Sequence, residues 1–224
     1  MARNGIGARS RPPTRDCSLC PRLVEYRAAN RAAEPHWHNA PVPSFGTAEE
    51  SVRLLVVGLA PGLRGANRTG RPFTGDHAGD LLYPTLIAHG FARGSYAAAP
   101  DDGLELVACR ITNAVRCVPP RNKPIGGEIA ACRGFLTGEI ESLAGLEIVL
   151  ALGRIAHDAV LASLGAVRSA HRFAHGAIHV LAPRPTLIDS YHCSRYNVNT
   201  GRLTQAMFDA VVGRIRELLD RGPG

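Results

Sequence analysis

Lysine is almost missing from this 224-residue chain: Lys123 stands alone against 25 arginines. Long apolar runs are missing too, and nothing approaches the ~18–20 consecutive apolar residues of a membrane span. Met1 to Arg15 is basic and polar with no apolar core, so it does not read as a secretory signal. Without such a signal, six cysteines point to metal or redox use rather than a disulfide scaffold. The expected compartment is the cytoplasm, or the nucleoid in a bacterium. Internal repeats are absent, and Gly94 to Gly103 is the one compositionally biased insert. What is present is ordinary for a soluble globular domain, with 45% apolar and 20% charged residues. The formal net charge is +7. The arginine bias reflects coding composition as much as function, but a positive balance suits a polyanionic partner, because phosphate contacts supply most non-specific affinity.

Length and composition suit one domain with ample core. Residues 1–15, carrying Arg3, Arg9, Arg11 and Arg15, are expected to form a disordered basic arm, followed by a single domain over 16–220. Strands are predicted at Val52–Gly58, Leu106–Ala114, Ile148–Leu152, Ile178–Ala182 and Leu187–Tyr191. Helices are predicted at Cys17–Ala32, Gly79–Ala88, Gly127–Ser142, Arg154–Leu164 and Thr204–Asp220. This alternation implies an α/β fold, a three-layer α/β/α sandwich around a mainly parallel sheet of about four to five strands. In such folds the binding residues belong on loops at the carboxyl ends of the strands.

Three stretches fall there. Arg53-Leu54-Leu55-Val56-Val57 runs straight into Gly58-Leu59-Ala60-Pro61-Gly62, and the loop continues to Gly70-Arg71-Pro72-Phe73-Thr74-Gly75-Asp76. Its glycines remove side chains and permit positive φ, while Pro61 and Pro72 stiffen it, as close approach to a ligand requires. Asn113 ends an apolar strand and carries both a donor and an acceptor. His192 follows the last strand in Ser190-Tyr191-His192-Cys193-Ser194. Separately, Cys17 and Cys20 form a C-x2-C pair, with Cys117 and Cys132 far downstream. Four cysteines suit tetrahedral zinc or a [4Fe–4S] cluster, and spacing alone does not separate them. Cys109 and Cys193 read as free thiols.

The glycine-rich loop, the His-Cys-Ser motif and the spaced cysteines together resemble the uracil-DNA glycosylase superfamily, and most of all its iron–sulfur family 5, from about Cys17 to Met207. The resemblance implies that Cys17, Cys20, Cys117 and Cys132 ligate a structural [4Fe–4S] cluster. It implies that Gly58, Leu59, Ala60, Pro61 and Gly62 line a pocket for an extruded base, with Phe73 stacking on it. Asn113 would read O4 and N3–H of uracil. His192 would donate to O2 as negative charge develops on the leaving base. Ser194, Arg195, Tyr196 and Asn197 would form the loop that enters the duplex, with Asn197 and Asn199 in the family 5 extension. Cys193 replaces the usual proline of that motif, and Ala60 replaces the carboxylate that many members use on the attacking water. Asp76 and Asn67 are the remaining catalytic candidates in that loop.

The activity so implied is monofunctional hydrolysis of the N-glycosidic bond of uracil in DNA, and of other deaminated bases such as hypoxanthine, at the start of base-excision repair. No lysine lies in any motif to form a Schiff base. The expected partner is DNA holding such bases, with no membrane and a monomeric enzyme. Two other readings fit parts of the pattern: a non-catalytic iron–sulfur nucleic-acid-binding protein on the same scaffold, and a zinc-stabilised α/β hydrolase that does not act on DNA.

Overall fold

The computed structural model describes residues 11–183 and 185–221. Its strands are β1 (Phe45–Gly46), β2 (Leu54–Gly58), β3 (Ala92–Arg93), β4 (Glu105–Leu106), β5 (Cys109–Asn113), β6 (Ile148–Leu152), β7 (Ile178–His179) and β8 (Thr186–Ser190). Its helices are α1 (Pro21–Ala33), α2 (Ala66–Thr69), α3 (His77–Ala88), α4 (Gly126–Ser142), α5 (Arg154–Ser163), α6 (Arg195–Asn199) and α7 (Gln205–Asp220). The main sheet has the order β1-β5-β2-β6-β8-β7. The inner four strands are parallel and the two short edges antiparallel. The sheet has six strands rather than the four or five expected, because the two-residue edge strand β1 carries too little pattern to be read. Among the described residues no helix is long and apolar enough to cross a membrane.

Period-two alternation builds the layers. Leu54 and Val56 pack with Leu82 and Leu86 of α3 and Phe208, Val212 and Ile215 of α7. Leu55 and Val57 face the other way, onto Leu136 and Ile140 of α4 and Ala156 and Val160 of α5. Each such buried side chain stabilises the fold by about 1.5–3 kcal/mol relative to exposure. The chain moves outward from β2 to β5, then crosses back to β6 and β8 on the other side of β2. That reversal opens a crevice at the carboxyl end of β2, where Gly58 lies.

Some boundaries differ from the sequence reading. The first helix begins at Pro21, not Cys17, because proline at the first helical position lacks the N–H that would go unpaired there. Cys17 and Cys20 instead occupy the turn ahead of it, with the Cys17 N–H bonded to the Thr14 carbonyl at 3.0 Å. The strand expected over Leu106–Ala114 splits in two at Ala108, which has φ +49° and whose carbonyl accepts from the N–H groups of Arg53 and Leu54. The segment expected as strand Ile178–Ala182 keeps only two strand residues, antiparallel to β8. Of the basic arm, residues 1–10 lie outside the described residues. Residues 11–15 lie against the domain, where the Arg15 carbonyl accepts from Arg31 at 3.1 Å.

Candidate active site

A cavity of about 630 Å³ opens at the carboxyl ends of the central strands. Its walls are the Leu59–Ala66 loop, Phe73, Asp76, His77, Asn113, Asn122, His192, Ser194 and Arg195. The register explains the convergence. Gly58 and Asn113 are direct partners at the ends of β2 and β5, and His192 follows the end of β8 by two residues. A Cβ at Gly58 would stand 2.5 Å from both Asn113 Oδ1 and Phe73 Cζ, so only glycine lets these two groups meet.

Asn113 is 3% exposed, and its Oδ1 is buried without a hydrogen-bond partner. An unmade bond of this kind costs about 1–3 kcal/mol, and a ligand N–H entering the cavity recovers it. Phe73 is buried at φ +52°, a strained conformation for a bulky residue. Its carbonyl accepts from the Tyr96 hydroxyl at 3.2 Å. The Pro72 carbonyl accepts from the Tyr83 hydroxyl at 2.5 Å. Arg71, inside the same loop, makes a forked pair with Asp102 at 2.8 and 2.7 Å, with both side chains almost fully buried. The insert that looked merely compositional thus anchors the loop.

The rings of Phe73 and His192 lie 6.2 Å apart. Burial pushes the His192 imidazolium down to about 4, so near neutrality the ring is uncharged and carries one N–H to donate. Asn197 Nδ2 donates to the His192 carbonyl at 2.9 Å, and Ser194 caps α6. Cys193, in place of a proline, is fully buried in the core. Packing rather than a pyrrolidine ring holds this loop. Tyr196 stands 70% exposed near the start of α6.

Asp76 lines the cavity and caps α3, its Oδ1 accepting from the Ala78 N–H at 3.1 Å. Its Oδ2 faces the loop so closely that a Cβ at Gly65 would come within 2.3 Å and one at Gly62 within 3.0 Å. Burial raises its pKa above the ordinary carboxylate value. Asn67 does not line the cavity: it is 1% exposed and donates to Asn39 Oδ1 at 2.8 Å, so it ties the loop to the end of α1. His77 and Asn122 also line the cavity, and no motif in the sequence singles them out. His77 follows Asp76 at the helix start, with Nδ1 buried and unpartnered. Asn122, at φ +56°, arrives on the turn between Cys117 and Cys132.

The four spaced cysteines line one small apolar recess with Leu23, Arg27 and Phe135. Arg22 and Glu128 form a two-pronged bridge, both contacts 2.7 Å, that ties α1 to α4 beside it. Burial first, and the neighbouring sulfurs next, push the Cys20 thiol up to about 11. Burial pushes the Cys117 thiol up to about 12. Arg27, 4% exposed, donates to Cys117 Sγ at 3.6 Å and to the Cys17 carbonyl at 2.9 Å. A buried guanidinium beside sulfur suits thiolate ligands, so the residues of this recess fit a metal centre held by deprotonated cysteines. Among the described residues, no three of these sulfurs lie within 4.8 Å of one another. Tetrahedral zinc would hold them about 3.8 Å apart.

Comparison with known proteins identifies the family. The sequence profile of the Uracil DNA glycosylase superfamily matches residues 45–216. The chain belongs to that superfamily. It is 46% identical over 208 residues to a type-5 uracil-DNA glycosylase of Thermus thermophilus, covering 90% of this chain and 93% of that protein. A type-5 uracil-DNA glycosylase of Pyrobaculum aerophilum is 40% identical, covering 89% and 87%. One of Mycobacterium leprae is 41% identical, covering 90% and 91%. The matched region, residues 45–216, takes in the whole cavity wall but not Cys17 and Cys20.

Proposed function

We infer that this protein is a uracil-DNA glycosylase of the type-5 kind, hydrolysing the bond between uracil and deoxyribose in DNA. The carrying observation is the unpartnered Asn113 Oδ1, set in a cavity walled by Phe73 and His192. An extruded uracil stacks on Phe73, offers N3–H to Asn113 Oδ1 and accepts at O4 from the amide N–H. As the glycosidic bond breaks, its electron pair moves onto the base, and the neutral His192 ring donates toward O2. That donor gains strength only as the charge develops, which is what acceleration requires. Water adds to C1′ of the oxocarbenium-like sugar and loses a proton, leaving an abasic site and free uracil. No lysine lines the cavity, in keeping with hydrolysis rather than Schiff-base chemistry.

With Ala60 at the cavity wall, the nearest carboxylate to an attacking water is Asp76. Its Oδ1 is spent on the helix cap, so its share in activating water is small and its main task is to hold the glycine loop. Arg64 and Arg195 at the exposed rim draw in the phosphate backbone. Tolerance of hypoxanthine, entry into base-excision repair, and action as a monomer in the cytoplasm belong to the same reading. Cys17, Cys20, Cys117 and Cys132 would hold a [4Fe–4S] cluster, which supplies a cross-link between the N-terminal turn and α4. Incubating the protein with a uracil-containing oligonucleotide, followed by alkali, should cut the strand at uracil. An intact strand at enzyme excess would refute the assignment.

A further inference from the structure

A second convergence of metal-binding side chains lies away from the cavity and the cysteines. His157 of α5, His179 of β7 and Asp189 of β8 meet on the α5 face of the sheet, one ligand atom from each lying within 4.8 Å of the others. His157 Nδ1 is 2.8 Å from Asp189 Oδ1, and His179 Nε2 is 3.0 Å from Asp189 Oδ2. The side chains are 1%, 10% and 0% exposed, in chain order. A carboxylate buried this deeply needs a positive partner, and the groups bonded to it are two imidazoles and the distant Ala174 N–H at 3.4 Å.

The proton count is informative. His157 Nε2 lies 2.9 Å from the His171 carbonyl oxygen. A carbonyl only accepts, so Nε2 carries the hydrogen. In a neutral ring, Nδ1 is then a lone pair facing a carboxylate oxygen, acceptor against acceptor. Either a second proton or a cation must sit between them. The arrangement matches a metal ligand, since a metal-bound histidine commonly donates its other ring N–H to a backbone carbonyl. Two imidazoles and a carboxylate are a zinc donor set, with ligand edges of about 3.3 Å in a tetrahedron. The two nitrogen–oxygen contacts, made to different oxygens of the Asp189 carboxylate, need to open by only about 0.3–0.5 Å to reach such edges, with the carboxylate chelating or turning one oxygen to the ion. The ring of His171 lies edge-on to that of His179 at 5.6 Å.

We propose that His157, His179 and Asp189 form a structural zinc site, separate from the cysteine recess and the base cavity. Its effect is to staple the edge of the sheet. β7 pairs with β8 at Ile178–Ile188 and His179–Leu187, continued by the Asp189 N–H to the Ala177 carbonyl at 3.0 Å, and the ion adds a side-chain tie from that edge to α5. Asp189 precedes His192 by three residues, so the staple also steadies the strand from which the catalytic loop departs.

The test uses the whole protein with its iron content measured, purified in the presence of zinc. Metal analysis should find about one zinc per chain. Zinc-edge X-ray absorption should show a nitrogen and oxygen shell at about 2.0–2.1 Å with no sulfur at about 2.3 Å. Zinc should also raise the melting temperature of chelator-treated protein, since a ligand of the folded state alone stabilises it. His179→Gln keeps an N–H for Asp189 but removes the imidazole lone pair, so it should lose both the zinc and the thermal response. Sulfur in the zinc shell would place the ion on the cysteines and overturn the proposal. Wild type that takes up no zinc, with His179→Gln equally stable, would leave a hydrogen-bonded ion pair and overturn it too. If His179→Gln does not fold, the wild-type shell decides.

Discussion

Replacing Asn113 with leucine should make the protein more stable and less active at once. Oδ1 of Asn113 is buried with no partner in the free protein, and the desolvation penalty of such a group is about 1–3 kcal/mol. Leucine has nearly the same shape and removes that penalty. At about 2–4 °C per kcal/mol for a domain of this size, the melting temperature of Asn113→Leu should rise by several degrees. The same change strips uracil of two hydrogen bonds. At about 0.5–1.5 kcal/mol each, base release should slow about 10–10²-fold at limiting substrate. Thermal unfolding followed by circular dichroism, beside single-turnover excision on one preparation, reads both effects. A variant that melts lower than wild type, or that excises uracil at an unchanged rate, would refute the claim that this carbonyl is kept unsatisfied for the base.

Other consequences follow from the same geometry. Gly58→Ala puts a methyl 2.5 Å from Asn113 Oδ1 and Phe73 Cζ, so it should cut excision sharply while leaving duplex binding intact; wild-type kinetics would show that the pair does not act together. Asp76→Asn should keep the helix cap, since asparagine caps as well as aspartate, and lose less than about tenfold in rate; a loss of about 10³ or more would make Asp76 the base. In that event the rate of wild type would fall with acid through the pKa that burial has raised, whereas the cap role leaves it flat there. His192, with its folded pKa depressed to about 4, makes stability fall as pH drops from the unfolded value near 6.5 toward 4, because the unfolded chain binds the proton first; His192→Gln should flatten acid unfolding in that window. Cys20→Ala should abolish iron binding, checked by iron analysis and the visible spectrum, and lower the melting point before it alters the chemistry of the cavity; iron retained at the wild-type level would remove Cys20 from the ligand set.

The layer order was legible because β2 and β6 are nearly unbroken apolar runs and α5 and α7 carry clear amphipathic stripes. What escaped were features fixed by tertiary contact. β1 exists because β5 offers it hydrogen bonds, and two residues leave no periodic trace, while β7, expected over Ile178–Ala182, keeps only the two residues that pair with β8. The base-facing roles of Phe73, Asn113 and His192 came from family resemblance, not from spacing. Asn67 looked catalytic from its place in the loop, but one hydrogen bond to Asn39 turns it inward. The Arg71–Asp102 clamp and the His157–Asp189–His179 cluster join residues 31, 32 and 10 positions apart, with no motif to announce them. His77 and Asn122 reach the cavity through backbone direction alone, at a helix start and at a positive-φ turn.

The central claim, that neutral His192 stabilises charge on a departing uracil held in this cavity, is tested most directly by splitting binding from chemistry in His192→Ala. Affinity for a uracil-containing duplex and the single-turnover rate of uracil release should be measured on the same folded preparation. The account predicts a rate lower by about 10²–10³-fold with affinity nearly unchanged. A near-normal release rate, or a loss confined to binding, would contradict it.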